Sequence, residues 1–274
     1  MKRQHLTEEK RPLYVAVIEQ ARDLHPGMGL RQVYNLMEPE GIGRDAFILL
    51  GIEEGFLLPG PRNQVRTTFS VKSNRYTNLL TGKGFTDVNQ IWTSDITYFS
   101  DYYLFFILDV YSRRIVGYTA AKNMRAINNV IALNMALELR GIESYTNLIH
   151  HSDRGGQYVS DIYTGLLEEH SIQISMCLSA IENSHVERVQ GTIKNQYLKY
   201  WDNSSLTKLG NNLATAVERY NYQRPHASLN GLTPVEFETQ LQGIPIEKRT
   251  KMTIFTNEQP KQENLISNQL ELCF

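Results

Sequence analysis

The sequence predicts a mixed α/β domain, a five-stranded sheet with helices on its faces, preceded by a small all-α unit. Three observations lead there. Three β-rich runs follow one another after residue 90, joined only by short turns. Two further short strands then alternate with segments of helical period, giving the order β-β-β-α-β-α-β-α. Before all of these, the first 59 residues carry only short helical patterns broken by glycine. A chain of 274 residues that is 41% hydrophobic and 21% charged can bury a large core, which excludes a disordered protein.

Other totals exclude further classes. Cys177 and Cys273 lie far apart without metal-type spacing, which suits a reducing compartment. MKRQHLTEEKRP lacks the apolar stretch of a signal peptide, and no apolar run approaches the roughly 18 residues of a membrane span. The expected location is cytoplasmic, with no membrane partner. The net charge of -1 does not announce a nucleic-acid binder. The charge is unevenly spread, however. From Arg188 to Arg224, six basic residues, among them Lys194, stand against Asp202 and Glu218, enough to line a phosphate track or to form a solvated helix face.

Taken in order, Thr7 is placed to cap a first helix, with Pro12 in its first turn and Val15, Val17, Ile18 and Ala21 beyond. HPGMG breaks it, LRQVYNLM forms a second helix and RDAFILLGIEEG a third. Residues 1–59 thus resemble a helix-turn-helix module, in which the third helix, with Arg44, is the candidate reader of DNA. Residues 60–87 read as a linker carrying Arg62, Arg66, Lys72 and Arg75, with Arg66 a candidate DNA contact.

Residues 88–242 form the main domain. QIWTSDITYFS, YYLFFILDVYS and RRIVGYTAA are three strands of an antiparallel meander. RAINNVIALNMALELRG is a helix expected to bury Ile127, Val130, Ile131 and Met135. TNLIHHS is a buried strand, VSDIYTGLLEEH a helix with an apolar face of Val159, Ile162, Tyr163, Leu166 and Leu167, and IQISMC the fifth strand. The next helix begins near Asn183 with a stripe of Val186, Val189, Ile193, Tyr197 and Tyr200. Glu187 and Lys194, seven residues apart, share one partly exposed side of it. Thr233-Pro234-Val235-Glu236 is a helix start with a capping box. Residues 243–274 read as a mostly extended polar tail.

Three acids stand out on three elements. Asp95 interrupts a strand otherwise flanked by Ile91, Trp92, Ile96 and Tyr98. Asp153 ends a buried strand just before Gly155 and Gly156, and strand C-terminal ends are where such sheets bind ligands. Glu187 rides on the helix. If the three meet, their repulsion raises their pKa values unless a cation neutralises them, and an all-carboxylate set favours magnesium or manganese. Two such ions beside a phosphate suit in-line phosphoryl transfer on a polynucleotide, with Lys194 on a nearby phosphate. His150 and His151 invite a zinc reading, but adjacent strand residues face opposite ways. Asp109 is expected to tether the Ser112-Arg113 turn.

WTSDITYF, LDVYSRRIVGY, HSDRGGQY, ENSHVERVQGTIKNQYL and YNYQRPHASLNGLTPVEF, in that order, resemble the integrase-core transposases of bacterial insertion sequences, and most of all the second-reading-frame product of the insertion-sequence-three family. GMGLRQVYNLMEPEGIGRDAF is similar to that family's helix-turn-helix segment. The resemblance implies a ribonuclease-H-like core with an acidic triad at Asp95, Asp153 and Glu187, and a basic residue at Lys194. It implies DNA strand cleavage at transposon ends and joining of the freed 3′-hydroxyl, with magnesium and no covalent enzyme intermediate. It also implies a first-reading-frame helix-turn-helix partner and homo-oligomers on DNA; from the basic stretch, Arg188 and Arg224 are further candidate DNA contacts. One feature departs from the pattern: the 33 residues numbered 154–186 separate the second and third acids, two fewer than usual, and Glu182 in that shortened loop rivals Glu187. Two alternatives follow, a DNA-binding or assembly protein that no longer catalyses and a nuclease that does not join.

Overall fold

A computed structural model describes residues 9–59, 75–141, 145–176 and 184–253. Its first unit is three helices, α1 (Arg11–Leu24), α2 (Leu30–Met37) and α3 (Arg44–Glu53). They close around Tyr14, Ile18, Met28, Val33, Phe47 and Leu50. Thr7 lies outside the described residues; Lys10 precedes α1 without a side-chain cap, and Pro12 sits in the first turn. This unit docks on the main domain through polar contacts, one of them buried. His25 Nδ1 shares a 2.7 Å hydrogen bond with the Tyr197 hydroxyl, Gly27 N donates to Gln196 O at 2.9 Å, and Arg219 Nη1 donates to Leu24 O at 2.6 Å. A Cβ on Gly27 would lie 2.5 Å from Gln196 Cα, so only glycine permits this approach.

The main domain follows the expected order. The strands are β1 (Ile91–Phe99), β2 (Tyr102–Asp109), β3 (Ile115–Ala121), β4 (Ile149–Ser152) and β5 (Gln173–Met176). The helices are α4 (Ala126–Arg140), α5 (Asp161–Glu169), α6 (Ser184–Gln196), α7 (Leu206–Tyr222) and α8 (Pro234–Leu241). The sheet order is β3-β2-β1-β4-β5. β1–β2 and β2–β3 are antiparallel, whereas β4 pairs in parallel with both β1 and β5. Strand alternation divides the core in two. Phe105 and Ile107 of β2 pack with α4 and α5, while Leu104, Phe106 and Leu108 pack with α6 and α7.

As expected, Asp109 tethers its turn. Its Oδ1 accepts from Tyr111 N and Ser112 N at 3.1 and 3.2 Å, and its Oδ2 accepts from Asn89 N at 2.8 Å and Arg140 Nη2 at 3.1 Å. Arg140 also reaches Glu238 of α8, which takes a second bond from Arg114 at 2.6 Å. The α8 capping box forms as the sequence indicates, with Thr233 N donating to Glu236 Oε2 at 2.8 Å and Glu236 N to Thr233 Oγ1 at 3.2 Å.

Several expectations need correction. α4 buries Asn129, Ala132, Leu133, Ala136 and Leu137, and leaves Ile127 and Ile131 each 47% exposed. The cause is Gly117 on β3, where a Cβ would fall 2.0 Å from Ala132 O; the helix turns its small residues to the sheet because only they fit so close. Ile162 of α5 is exposed. α6 ends at Gln196, a 3-10 turn follows, and Tyr200 is exposed rather than part of the buried stripe. The end of the expected linker packs on the domain, since Leu80 is buried and Met176 N donates to Thr77 O. The start of the tail also folds back. Met252–Thr253 pairs with Gly84–Phe85, Arg249 forms an ion pair with Asp87, and the Tyr111 hydroxyl donates to Thr250 O at 2.9 Å. Among the described residues no helix is long and apolar enough to cross a membrane.

Gly117→Ala is expected to lower stability by about 1–3 kcal/mol through overpacking against α4. Urea unfolding checks it, as a lower midpoint at unchanged slope.

Candidate active site

The site grows out of one strand pairing. β1 and β4 run parallel with Ser94 opposite Ser152, so Asp95 and Asp153 are the next residues on neighbouring strands. Adjacent strands lie about 4.8 Å apart, and the two carboxylates are therefore neighbours by register. Asp95 lies opposite Phe106 of β2, on the sheet face covered by α6 and α7. Asp153 stands just past β4, where Gly155 N donates to its Oδ1 at 3.0 Å. A Cβ on Gly155 would come within 2.3 Å of Gln157 Nε2 and 3.0 Å of Asp153 Oδ1, so a larger residue there would displace the Gln157 side chain and crowd the carboxylate.

The electrostatics follow from this placement. Burial, then the charge of Asp153, push Asp95 from 3.8 up to about 7; Glu187 adds a smaller push, and bonds from Ile96 N and Gln190 oppose it. Burial also raises Asp153, against the Gly155 amide. Beneath them, Ser94 Oγ donates to the buried Tyr158 hydroxyl at 3.0 Å, and burial with both aspartates keeps that phenol protonated.

α6 carries the third acid. Glu187 lies in its first turn and is exposed. Its charge reaches Asp95, but among the described residues no three His, Cys, Asp or Glu side chains are grouped closely enough to hold a metal. The structure thus joins Asp95 to Asp153 and leaves Glu187 beside them. The loop residues 177–183, with Glu182, lie outside the described residues. The donor chemistry of Asp95 and Asp153 nevertheless fits a hard divalent cation: paired carboxylates, raised pKa values and open lone pairs.

Lys194 departs from its expected partly exposed position. It is 7% exposed, and its Nζ donates to Thr97 Oγ1 at 2.7 Å, over the strand that carries Asp95. Burial lowers its pKa and Asp95 raises it. Arg224, expected to face DNA, is 6% exposed, with Nε donating to Gln196 Oε1 at 3.0 Å. Arg188 is exposed beside Glu187, near Arg113, whose guanidinium meets His185 Nδ1 at 2.6 Å. Arg44 is exposed at the start of α3 and bonds Asp45 at 2.9 Å; Arg66 lies outside the described residues. His150 and His151 point to opposite sides and are spent on buried bonds to the Tyr163 hydroxyl and Ser175 Oγ. Burial holds them down to about 3 and about 4, and they form no metal site with each other. Sequence reading missed Gln190, whose Nε2 donates to Asp95 Oδ2 at 3.0 Å. Its signal was helical spacing, three residues beyond Glu187.

Residues 86–179 match the family model described as an integrase core domain, and residues 171–234 match a second model of the same description. The transposase for insertion sequence element IS629 of Shigella sonnei is 30% identical over 225 residues, covering 78% of this chain and 74% of that protein. The chain belongs to the integrase-core transposases of insertion sequences. Transposase InsF for insertion sequence IS3fB of Escherichia coli (strain K12) is 33% identical to it over 159 residues, 56% of this chain and 54% of InsF. Against other curated relatives too, this member of the transposase family spans little more than half of their length. Among solved structures, the simian T-cell lymphotropic virus intasome in complex with PP2A regulatory subunit B56 gamma has a TM-score of 0.52 at 18% identity, covering 84% of this chain and 80% of that one. The shared feature is the fold, a ribonuclease-H-like integrase core.

In chelator, Asp95→Asn is expected to stabilise the protein at pH 8 but not at pH 4. The folded carboxyl holds its proton up to about 7 and the unfolded one only to 3.8, so stability drains away as pH rises between those values. The gain should be roughly 2 kcal/mol, half of the unscreened shift because the side chain is partly exposed. Thermal unfolding across that range checks it; a gain independent of pH would contradict the assignment.

Proposed function

We propose that the chain is a DNA transposase that cleaves DNA at transposon ends and joins the freed 3′-hydroxyl to another phosphodiester. The observation that carries this reading is the β1–β4 register, which sets Asp95 beside Asp153 with a raised pKa at a strand C-terminal end. These two carboxylates would hold a divalent cation, magnesium or manganese, with Glu187 of the first turn of α6 as the third ligand. A pair of such ions, when bound, would supply charge stabilisation for the attacking and leaving oxygens of an in-line displacement.

The chain's own residues supply the rest. Asp153 is held in place by the Gly155 amide, and Tyr158 stays protonated beneath the pair. Arg188, exposed next to Glu187, contacts a DNA phosphate. Lys194 contributes positive charge beside Asp95 from a buried position. Arg44 on α3 is the candidate contact of the helical unit with the transposon end. Homo-oligomers on DNA and a first-reading-frame helix-turn-helix partner complete the working assembly, which acts in the bacterial cytoplasm.

One observation favours a second reading: Glu187 is not grouped with the two aspartates. In that reading the chain binds DNA or assembles on it without catalysis. Strand joining of the element's terminal DNA in magnesium, with first-frame protein present, separates the two. Asp153→Ala and Glu187→Gln should each reduce joined product by more than about 100-fold, beyond the loss typical of outer-shell metal partners. Binding without joining by the wild-type chain, in magnesium or manganese, would support the non-catalytic reading. Nicked but unjoined product would indicate a nuclease.

Arg188→Ala should weaken DNA binding alike on all sequences and reduce the slope of log affinity against log salt by about 0.9. Fluorescence anisotropy across a salt series measures it.

A further inference from the structure

Gln190 stands on α6 three residues after Glu187 and four before Lys194, the spacing that puts all three on one side of the helix. Its side chain is 4% exposed, and an amide so buried is held by its partners. The partner found is Asp95: Gln190 Nε2 donates to Asp95 Oδ2 at 3.0 Å. Rotation about the last bond of an aspartate is soft, so fixing one oxygen orients the other. The carboxylate keeps lone pairs for a cation, because it accepts about four hydrogen bonds and Gln190 and the Ile96 amide take one each.

The choice of a neutral donor matters. A lysine or arginine at this position would bring a positive charge to the oxygen that a metal must share. The amide orients the carboxylate without that repulsion. It also ties α6 to β1 one turn beyond Glu187, so the same bond sets how the helix bearing the third acid sits against the strand bearing the first.

We propose that Gln190 is a positioning residue that orients the Asp95 carboxylate for a divalent cation and sets α6 against β1. This rests on the reading of Asp95 as a metal ligand. Gln190 acts through Asp95.

The test is Mn2+ binding to the full chain without DNA, read from the electron paramagnetic resonance signal of the free ion. Gln190→Met keeps the volume and removes the donor. Gln190→Asn keeps the amide but is one methylene too short to reach Asp95. Both are expected to weaken Mn2+ binding about 10-fold, as the loss of an outer-shell partner does. Both variants should stay folded with a cooperative thermal transition, and DNA affinity in chelator should stay at the wild-type value, which separates positioning from loss of the fold. If Gln190→Met fails to fold, Gln190→Asn decides. Wild-type Mn2+ affinity in the folded variants would overturn the proposal while leaving the triad reading standing. A wild-type chain whose Mn2+ binding is untouched by Asp95→Asn would overturn the triad reading and this proposal together.

Discussion

The parallel pairing of β1 with β4 is the constraint on which the site depends. It costs a long crossover, because parallel neighbours cannot be joined by a tight turn. The chain spends β2, β3 and α4 on that excursion before returning at Ile149. Slipping β4 by one residue would turn its side chains to the other face and take Asp153 away from Asp95. The buried histidines resist such a slip. His150 and His151 point into opposite layers, and each is held by a hydroxyl from a different element. Residues that look like metal ligands in the sequence thus serve to hold the register.

The same site shows why acids can be clustered in a fold that must be stable without a cation. Asp95 and Asp153 share a partly buried position whose bare double charge is unfavourable, and the protein offsets only part of this with neutral donors. Asp109 makes the contrast. It is fully buried, but Arg140 and three backbone amides surround it, and nothing about it is left open to a ligand. One acid is closed by its neighbours and serves the turn; the two others are only partly satisfied by theirs.

Much of this was legible in the sequence. The strand runs, the crossover helices, the capping box at Thr233 and the role of Asp109 follow from period, turn residues and local hydrogen-bonding chemistry. What escaped depended on the partner surface. The buried face of α4 is decided by Gly117 on another element, and no hydrophobic count along the helix contains that information. Lys194 and Arg224 read as surface charges, yet their long apolar stems allow them to lie inside with their polar ends bonded. Gln190 carries no charge and drew no attention, although its spacing from Glu187 placed it on the right side of the helix. The family resemblance pointed to three acids; the strand register explains why Asp95 and Asp153 meet.

The helical unit and the core share α6 as a common beam. Its middle lies on β1, and its C-terminal end is gripped by the loop after α1 through Gly27 and His25. A chain severed once within residues 60–74 would therefore remain a single particle, since its two pieces stay joined by contacts that the break does not touch. Removing the first piece outright is a different event: it would strip the Tyr197 hydroxyl and the Gln196 carbonyl of their partners at the foot of the helix that bears Glu187. Domain trimming in this protein is thus an operation on α6 itself.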